Sequence, residues 1–178
     1  MKKNNRRQSD HWTRKAKKAG FQARSVFKLE EMDQKFGVLK GKKRVLDLGC
    51  CPGSWSQYVA RRSPKSDIMG IDIQETPSYP GQFIEMSIED LTESLVIETL
   101  GGRPDLIISD MAPATIGQRF TDHLRQISLA EMALNLVNQI LMKGGTFVVK
   151  VFDGQDAPAF VAEMRREFKR VKRYKPKA

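Results

Sequence analysis

The sequence has few of the residues that build disulfide frameworks or metal centres. Its 178 residues include two cysteines and two histidines. The cysteines, Cys50 and Cys51, are adjacent, and neighbouring cysteines rarely form a relaxed disulfide. With only His11 and His123 besides, no cluster has metal-ligand spacing. We therefore expect metal-free chemistry in a reducing compartment, the cytoplasm.

Long apolar runs are also lacking. No stretch approaches the roughly 20 apolar residues of a membrane-spanning helix, so we expect no membrane association. The basic start, Met1 to Arg7, is not followed by an apolar stretch, which excludes a secretory signal but not an Arg-rich organellar transit peptide. The length fits one domain with a sizeable core, and the lack of an additional apolar face predicts a monomer.

Positive charge, by contrast, is abundant and unevenly distributed. The net charge is +10. Residues 1–28 contain ten Lys or Arg and one acid (+9), residues 161–178 contain eight and two (+6), and the body, 29–160, is therefore −5. Two basic ends on an acidic body indicate a surface for a polyanion, because Lys and Arg contacts to phosphates supply affinity that does not depend on sequence. A pair of solvated tails is the alternative interpretation.

Hydrophobic patterning predicts a domain over residues 22–178 that follows a basic extension, residues 1–21. Short apolar runs alternate with amphipathic segments in this domain, and Ser54 is a candidate N-cap. The predicted strands are 44–48, 68–73, 82–86, 105–109 and 146–151, and the predicted helical segments are 22–36, 54–62, 91–100, 121–142 and 157–168. This order predicts an α/β fold, a mostly parallel sheet with helices on both faces, in which ligands bind beyond the carboxyl ends of the strands.

The turn after the first predicted strand has the features of a cofactor loop. Gly49 and Gly53 allow the backbone to approach a ligand closely, and the following helix directs N–H groups toward it. Their spacing differs from the G-x-G-x-x-G of dinucleotide binders, which disfavours a dinucleotide oxidoreductase. Asp72, about 20 residues further on, can accept hydrogen bonds from both hydroxyls of a ribose. These features predict an adenosine-containing cofactor, with a simple tight turn as the alternative.

Four sequence blocks resemble the FtsJ-type ribosomal RNA ribose 2′-O-methyltransferases, which are Rossmann-like enzymes that use S-adenosylmethionine. The most specific block, residues 47–57, reads Asp-Leu-Gly-Cys-Cys-Pro-Gly-Ser-Trp-Ser-Gln, and the others are residues 24–29, 109–113 and 144–152. The resemblance implies methyl transfer to a ribose 2′-hydroxyl of large-subunit (23S-type) ribosomal RNA, on a uridine, with ribosomal RNA or the large ribosomal subunit as partner. It also implies that the basic start is the family's own extension and not a transit peptide.

The same resemblance implies the site residues. The family's Lys-Asp-Lys-Glu tetrad is matched in its first three members by Lys28, Asp110 and Lys150. The implied cofactor contacts are Gly49, Gly53, Trp55, Asp72, Ser87 and Asp110. Ser87 departs from the pattern, since members often carry an aspartate there that contacts the adenine.

The tetrad's glutamate has no match. In the family a Ser/Arg-rich turn and a further strand with that glutamate follow the last matched block, and the sequence contains no candidate for it. We therefore expect the Rossmann-like sheet without its C-terminal strand. A catalytically impaired RNA-binding or ribosome-assembly factor is one alternative function, and 2′-O-methylation of another RNA is a second.

The matched residues suggest how a hydroxyl proton is removed. A lysine acts as a base only when its amine is neutral, and Lys150 is the predicted base. Lys28 is expected to lower the pKa of Lys150 by like-charge repulsion and to hold the substrate oxygen, and Asp110 to orient Lys150 and face the sulfonium. The simpler alternatives are surface lysines and a loop turn. His11, Trp12 and the cations after them are expected to contact RNA, unless Trp12 packs in the core.

Overall fold

Five parallel strands form the centre of the structure, a computed structural model that describes residues 11–113 and 117–178. The strands are β1 (Arg44–Leu48), β2 (Asp67–Asp72), β3 (Gln82–Glu85), β4 (Leu106–Ser109) and β5 (Thr146–Val149), in the order β3-β2-β1-β4-β5. The helices are α1 (11–18), α2 (Val26–Phe36), α3 (Ser54–Arg62), α4 (Glu93–Leu100), α5 (Arg119–Ile140) and α6 (Ala157–Glu167), with a 3-10 turn at Ile88–Asp90. Because every pairing is parallel, the predicted α/β fold is confirmed.

Apolar cores cover both faces of the sheet. Successive side chains of a strand point to opposite faces, so Val45 of β1 packs with α2 and α3, whereas Leu46 packs with α4 and α5. A third, smaller cluster joins α5 to α6 around Phe160. Asp47 shares the face of Val45, which brings a carboxylate under α3. Within the described ranges, no helix has the length and apolarity that a bilayer crossing requires.

Several predicted boundaries were wrong by one or two residues. The predicted N-cap of α3 was also wrong, because a different residue occupies that position. The residue before α3 is Gly53, with φ of +92°, and Ser54 is the first helical residue and makes no side-chain cap. Its hydroxyl instead lies 2.9 Å from that of Ser25. The predicted helix 91–100 begins later, at Glu93, because the Thr92 hydroxyl accepts from the Leu95 N–H and caps α4 there.

β5 is the outer edge of the described sheet. On the side of β5 away from β4, no residue in 11–113 or 117–178 forms a strand, and residues 168–178 have no regular secondary structure. They return to α2, where the hydroxyl of Tyr174 and the backbone N–H of Lys177 both hydrogen bond to the Glu31 carboxylate.

The basic helix α1 packs on α2 and α3. The half-buried Trp12 ring lies 5.1 Å from the Phe27 ring, and the Lys15 ammonium lies 4.5 Å above Phe27. At the other end of α1, the Arg61 guanidinium donates to the carbonyl oxygens of Ala19 (2.7 Å) and Gly20 (2.8 Å). The structure therefore favours the packing interpretation of Trp12. Residues 1–10 of the predicted extension lie outside the described residues.

Candidate active site

The turn after β1 is tied to the end of β2. The N–H groups of Gly49 and Cys50 donate to the carbonyl oxygen of Ile71, at 2.9 and 3.1 Å. The Cys51 N–H donates to Asp72 Oδ2 at 2.8 Å. This network orients the Asp72 carboxylate at the strand end, where the ribose contact was predicted.

Gly49 is required for close packing of this turn. Its φ is +68°, and a Cβ added there would lie 2.2 Å from Cγ of Met111. The side chain that follows β4 thus packs directly on the backbone that follows β1. Glycine allows both the left-handed backbone conformation and this contact.

A small pocket opens between the turn and the end of β4. Its lining residues are Ser25, Asp47, Gly49, Cys50, Cys51, Ser54, Trp55 and Asp110. Of the predicted cofactor residues, Gly49, Trp55 and Asp110 line it directly. The lining contains two carboxylates and no lysine or arginine, so a cationic group matches its charge better than a phosphate does.

The other predicted cofactor residues lie outside the lining of this pocket. Gly53 is buried, and a Cβ added there would lie 3.3 Å from the Thr76 methyl group. Asp72 is joined to the pocket through the Cys51 N–H. The Ser87 hydroxyl accepts from the Glu89 N–H at 3.3 Å and caps the 3-10 turn. The role of Ser87 toward adenine stays a prediction.

Lys150 and Asp110 form an ion pair beside the pocket. Each residue directly follows a strand, and the Lys150 N–H donates to the carbonyl oxygen of Ser109 at 2.9 Å, which continues the ladder between β5 and β4. Lys150 Nζ lies 3.0 Å from Asp110 Oδ1 and also donates to the carbonyl oxygen of Asp110. The two side chains are about one-fifth exposed, at 20% and 21%.

Lys28 completes a group of three charges. It lies on α2, and burial lowers the pKa of its ammonium, while Asp110 opposes this and Lys150 lowers the pKa further. The structure therefore brings the three predicted catalytic residues together. Like-charge repulsion, which was expected to act on Lys150, lowers the pKa of Lys28.

Trp55 connects α2 to this pocket. Its indole N–H donates to the carbonyl oxygen of Ser25 at 2.9 Å, one turn before Lys28, and its side chain is buried. Trp55 therefore both lines the pocket and orients the helix that carries Lys28.

Asp47 is a pocket residue that sequence reasoning did not assign. Its carboxylate is 1% exposed and accepts a 2.6 Å hydrogen bond from the Ser56 hydroxyl. The Ser56 oxygen also lies 2.5 Å from the Tyr79 hydroxyl. Burial, with a smaller effect of Asp110 and Asp72, raises the pKa of Asp47 from 3.8 to about 7. The available signal was its place as the first residue of the Asp-x-Gly turn.

The two cysteines are both free thiols. Cys50 is buried in the wall of the pocket, and burial raises the pKa of its thiol. A raised pKa keeps Cys50 in its thiol form, which is a poor nucleophile.

Fold and site together define a Rossmann-like transferase with an acidic cofactor pocket and a lysine–aspartate pair at the carboxyl ends of parallel strands. The sequence pattern of the FtsJ-like methyltransferase family matches residues 21–178. The chain therefore belongs to the FtsJ-like methyltransferase family, and the resemblance found in its motifs is confirmed.

Individual relatives agree. The chain is 44% identical over 175 residues to the ribosomal RNA large subunit methyltransferase E of Novosphingobium aromaticivorans. The aligned residues cover 97% of this chain and 79% of that protein. It is 43% identical over 176 residues to the protein of that name from Oleidesulfovibrio alaskensis, covering 95% and 84%. A solved structure from Plasmodium falciparum, described as a ribosomal RNA methyltransferase, superposes with a TM-score of 0.80 at 30% identity, covering 88% of this chain and 92% of that one.

Proposed function

We propose that the protein transfers a methyl group from S-adenosylmethionine to a ribose 2′-hydroxyl of large-subunit ribosomal RNA, on a uridine. The names of its relatives support the RNA substrate. The single observation that carries the chemistry is the Lys150–Asp110 ion pair beside the acidic pocket at the strand ends. We further propose that the protein acts as a cytoplasmic monomer.

The pocket fits the cofactor by charge. S-adenosylmethionine supplies an electrophilic methyl group on a positively charged sulfur, and it also carries an ammonium group. Asp110 in the lining favours such cations, whereas the pyrophosphate of a dinucleotide would meet no lysine or arginine in the lining. Asp72 is oriented by two backbone N–H groups, from Cys51 (2.8 Å) and Gln74 (2.9 Å), to receive the hydroxyls of a ribose.

The lysines are proposed to handle the proton of the 2′-hydroxyl. In this proposal Lys150 first loses its ammonium proton, and its neutral Nζ then accepts the hydroxyl proton while the oxygen attacks; Asp110 holds the Lys150 side chain in place. Lys28 holds the substrate oxygen. The lowered pKa of Lys28 supports the reverse assignment as a second possibility, since burial makes its ammonium easier to deprotonate.

Arginine substitutions separate these two assignments, because arginine remains charged and cannot serve as a base. If Lys150 is the base, we expect Lys150→Arg to lower kcat at least about 100-fold and Lys28→Arg to retain most of it. The opposite order of the two variants would assign the base to Lys28. Equal, full activity of both would refute a lysine base.

The basic face around α1 is proposed to bind the RNA. Arg14, Lys17 and Lys18 are exposed on α1, and Arg61 and Arg62 are exposed on the adjoining α3. Cations on two packed helices form one surface on the side of the sheet that also carries Lys28. Phosphate contacts by such a surface supply affinity and orient the RNA toward the pocket.

The first experiment is transfer of labelled methyl from S-adenosylmethionine to undermethylated ribosomal particles, followed by alkaline digestion. Alkali cannot cleave beside a methylated 2′-oxygen, so label in alkali-resistant dinucleotides that is lost in Lys150→Ala supports the proposal. Label in alkali-sensitive nucleotides would indicate base methylation and refute it. Normal RNA binding without turnover at saturating cofactor would select the RNA-binding factor instead, and label only on another RNA would change the substrate.

A further inference from the structure

Gln126 is a buried polar residue on α5. Its side-chain amide forms hydrogen bonds with the backbone on both sides of Val151. Its side chain is 1% exposed. Its Nε2 donates to the carbonyl oxygen of Lys150 at 2.5 Å, and its Oε1 accepts from the N–H of Phe152 at 2.8 Å. Both ends of the amide are therefore used, and they are used on the segment that leaves β5.

A second contact, one turn earlier on α5, holds the following loop. His123 is 8% exposed, and its Nε2 accepts from the N–H of Asp156 at 3.2 Å. A Cβ added to Gly154 would lie 2.4 Å from Cε1 of His123, so the loop packs directly on the imidazole ring. The chain after Lys150 is thus attached to α5 at two successive levels.

This attachment matters because β5 is the edge of the described sheet. On one side, the Lys150 N–H is held by the carbonyl oxygen of Ser109. The strand ladder ends there, and the part of the chain described has no strand on the opposite side of β5. The Gln126 side chain donates to the Lys150 carbonyl oxygen. This hydrogen bond holds the backbone from which the Lys150 side chain extends toward Asp110.

We propose that Gln126 is a positioning residue for methyl transfer, which holds the Lys150 backbone so that Nζ stays on Asp110 and faces the pocket. This inference rests on the proposed role of Lys150 in catalysis. Gln126 is absent from the lining of the pocket, so its effect is on the rate of transfer and not on cofactor binding. A displacement of about 1 Å at a reacting group is enough for a loss of about 100-fold in rate.

The test compares Gln126→Leu, Gln126→Glu and the control Gln139→Leu. Leucine removes both hydrogen bonds at similar volume, and glutamate keeps the acceptor for Phe152 but loses the donor to Lys150. Gln139 is exposed on the same helix, so the control makes the same chemical change away from Lys150. We measure kcat with saturating RNA, the Kd of S-adenosylmethionine by calorimetry, and the Tm of each variant.

We expect Gln126→Leu to lower kcat about 10- to 100-fold with a cofactor Kd within twofold of wild type. Gln126→Glu is expected to lower kcat as well, and Gln139→Leu to leave it unchanged. In the Lys150→Ala background, Gln126→Leu should lower the residual single-turnover rate less than about twofold, because its effect passes through Lys150.

Three results would overturn the proposal. Loss of cofactor binding or of folding in both Gln126 variants would show a general structural role, and unchanged kcat in Gln126→Leu would show no role. An equal fold-loss with and without Lys150 would show an effect independent of Lys150. Full activity of Lys150→Ala is a different failure, because it refutes the proposed function on which this inference rests.

Discussion

Replacement of Asp47 by asparagine tests the electrostatics of the pocket through protein stability. Asp47 is fully buried, and its pKa is raised from 3.8 to about 7. Between these values the folded protein holds a proton that the unfolded chain releases. The contribution of this proton to stability is therefore complete below about pH 4 and is lost as the pH rises to about 7.

The size of this effect follows from the two pKa values. A difference of about 3 corresponds to about 4 kcal/mol in the free energy of unfolding, or about 1.4 kcal/mol per pH unit within the window. Asparagine does not titrate, and its side-chain oxygen can still accept the hydrogen bond of Ser56. We therefore expect the stability of Asp47→Asn relative to wild type to increase by about 2–3 kcal/mol from pH 5 to pH 7 and to level off above that.

The assay is urea denaturation of both proteins at half-unit steps from pH 5 to pH 8. Asp67→Asn is the control, since this carboxylate is exposed at the start of β2 and its replacement should give a flat difference. A difference that stays within about 0.5 kcal/mol for Asp47→Asn across the same range would refute the reasoning. It would mean that Asp47 is ionised in the folded protein and that the pocket is more polar than its burial indicates.

Two further substitutions test the turn and the basic surface. Gly49→Ala should lower the free energy of unfolding by about 1–3 kcal/mol, and by at least about 1 kcal/mol more than Gly41→Ala does. Both positions have positive φ, but only Gly49 also contacts Met111. Equal losses of the two variants in urea denaturation would contradict the close contact. Arg61→Met should release the end of α1, because Arg61 donates to the carbonyl oxygens there. We expect it to raise the Kd for ribosomal RNA about 3- to 10-fold more than Lys65→Met does, with an unchanged cofactor Kd. Equal effects of the two variants in filter binding would show that Arg61 contributes only its charge.

The pattern of the chain was sufficient for much of the fold. Alternating apolar strands and amphipathic helices predicted a parallel sheet with helices on both faces, because burial on two faces requires that periodicity. Strand and helix ends were less accurate. Ser54 looked like a cap by residue type, but Gly53 in the left-handed region occupies the cap position, and the Ser54 hydroxyl contacts Ser25 instead. A cap depends on backbone geometry, which residue type alone does not specify.

The residues of the candidate site were predicted from motifs, but their burial, contacts and pKa values were not. The resemblance of the four blocks to the family implied Lys28, Asp110 and Lys150 as site residues, and the glycine turn was also indicated by its place after the first predicted strand. The sequence did not reveal which lysine has the lowered pKa, since that depends on burial and on the distances to other charges. Nor did it reveal that Trp12 packs on Phe27, because a tryptophan beside cations fits an RNA contact equally well.

By itself, the amino-acid sequence determined the class of fold and the cofactor turn through local patterns, and its motifs carried the resemblance that indicated the family and the predicted catalytic residues. The tertiary structure decided the raised pKa of Asp47, the lowered pKa of Lys28 and the attachment of Lys150 to Gln126. These properties arise between residues that are far apart in the chain. Lys150 lies 24 positions from Gln126 and 122 positions from Lys28. Such electrostatic and hydrogen-bond interactions depend on distance in space and on exclusion of water, and both exist only after the chain has folded.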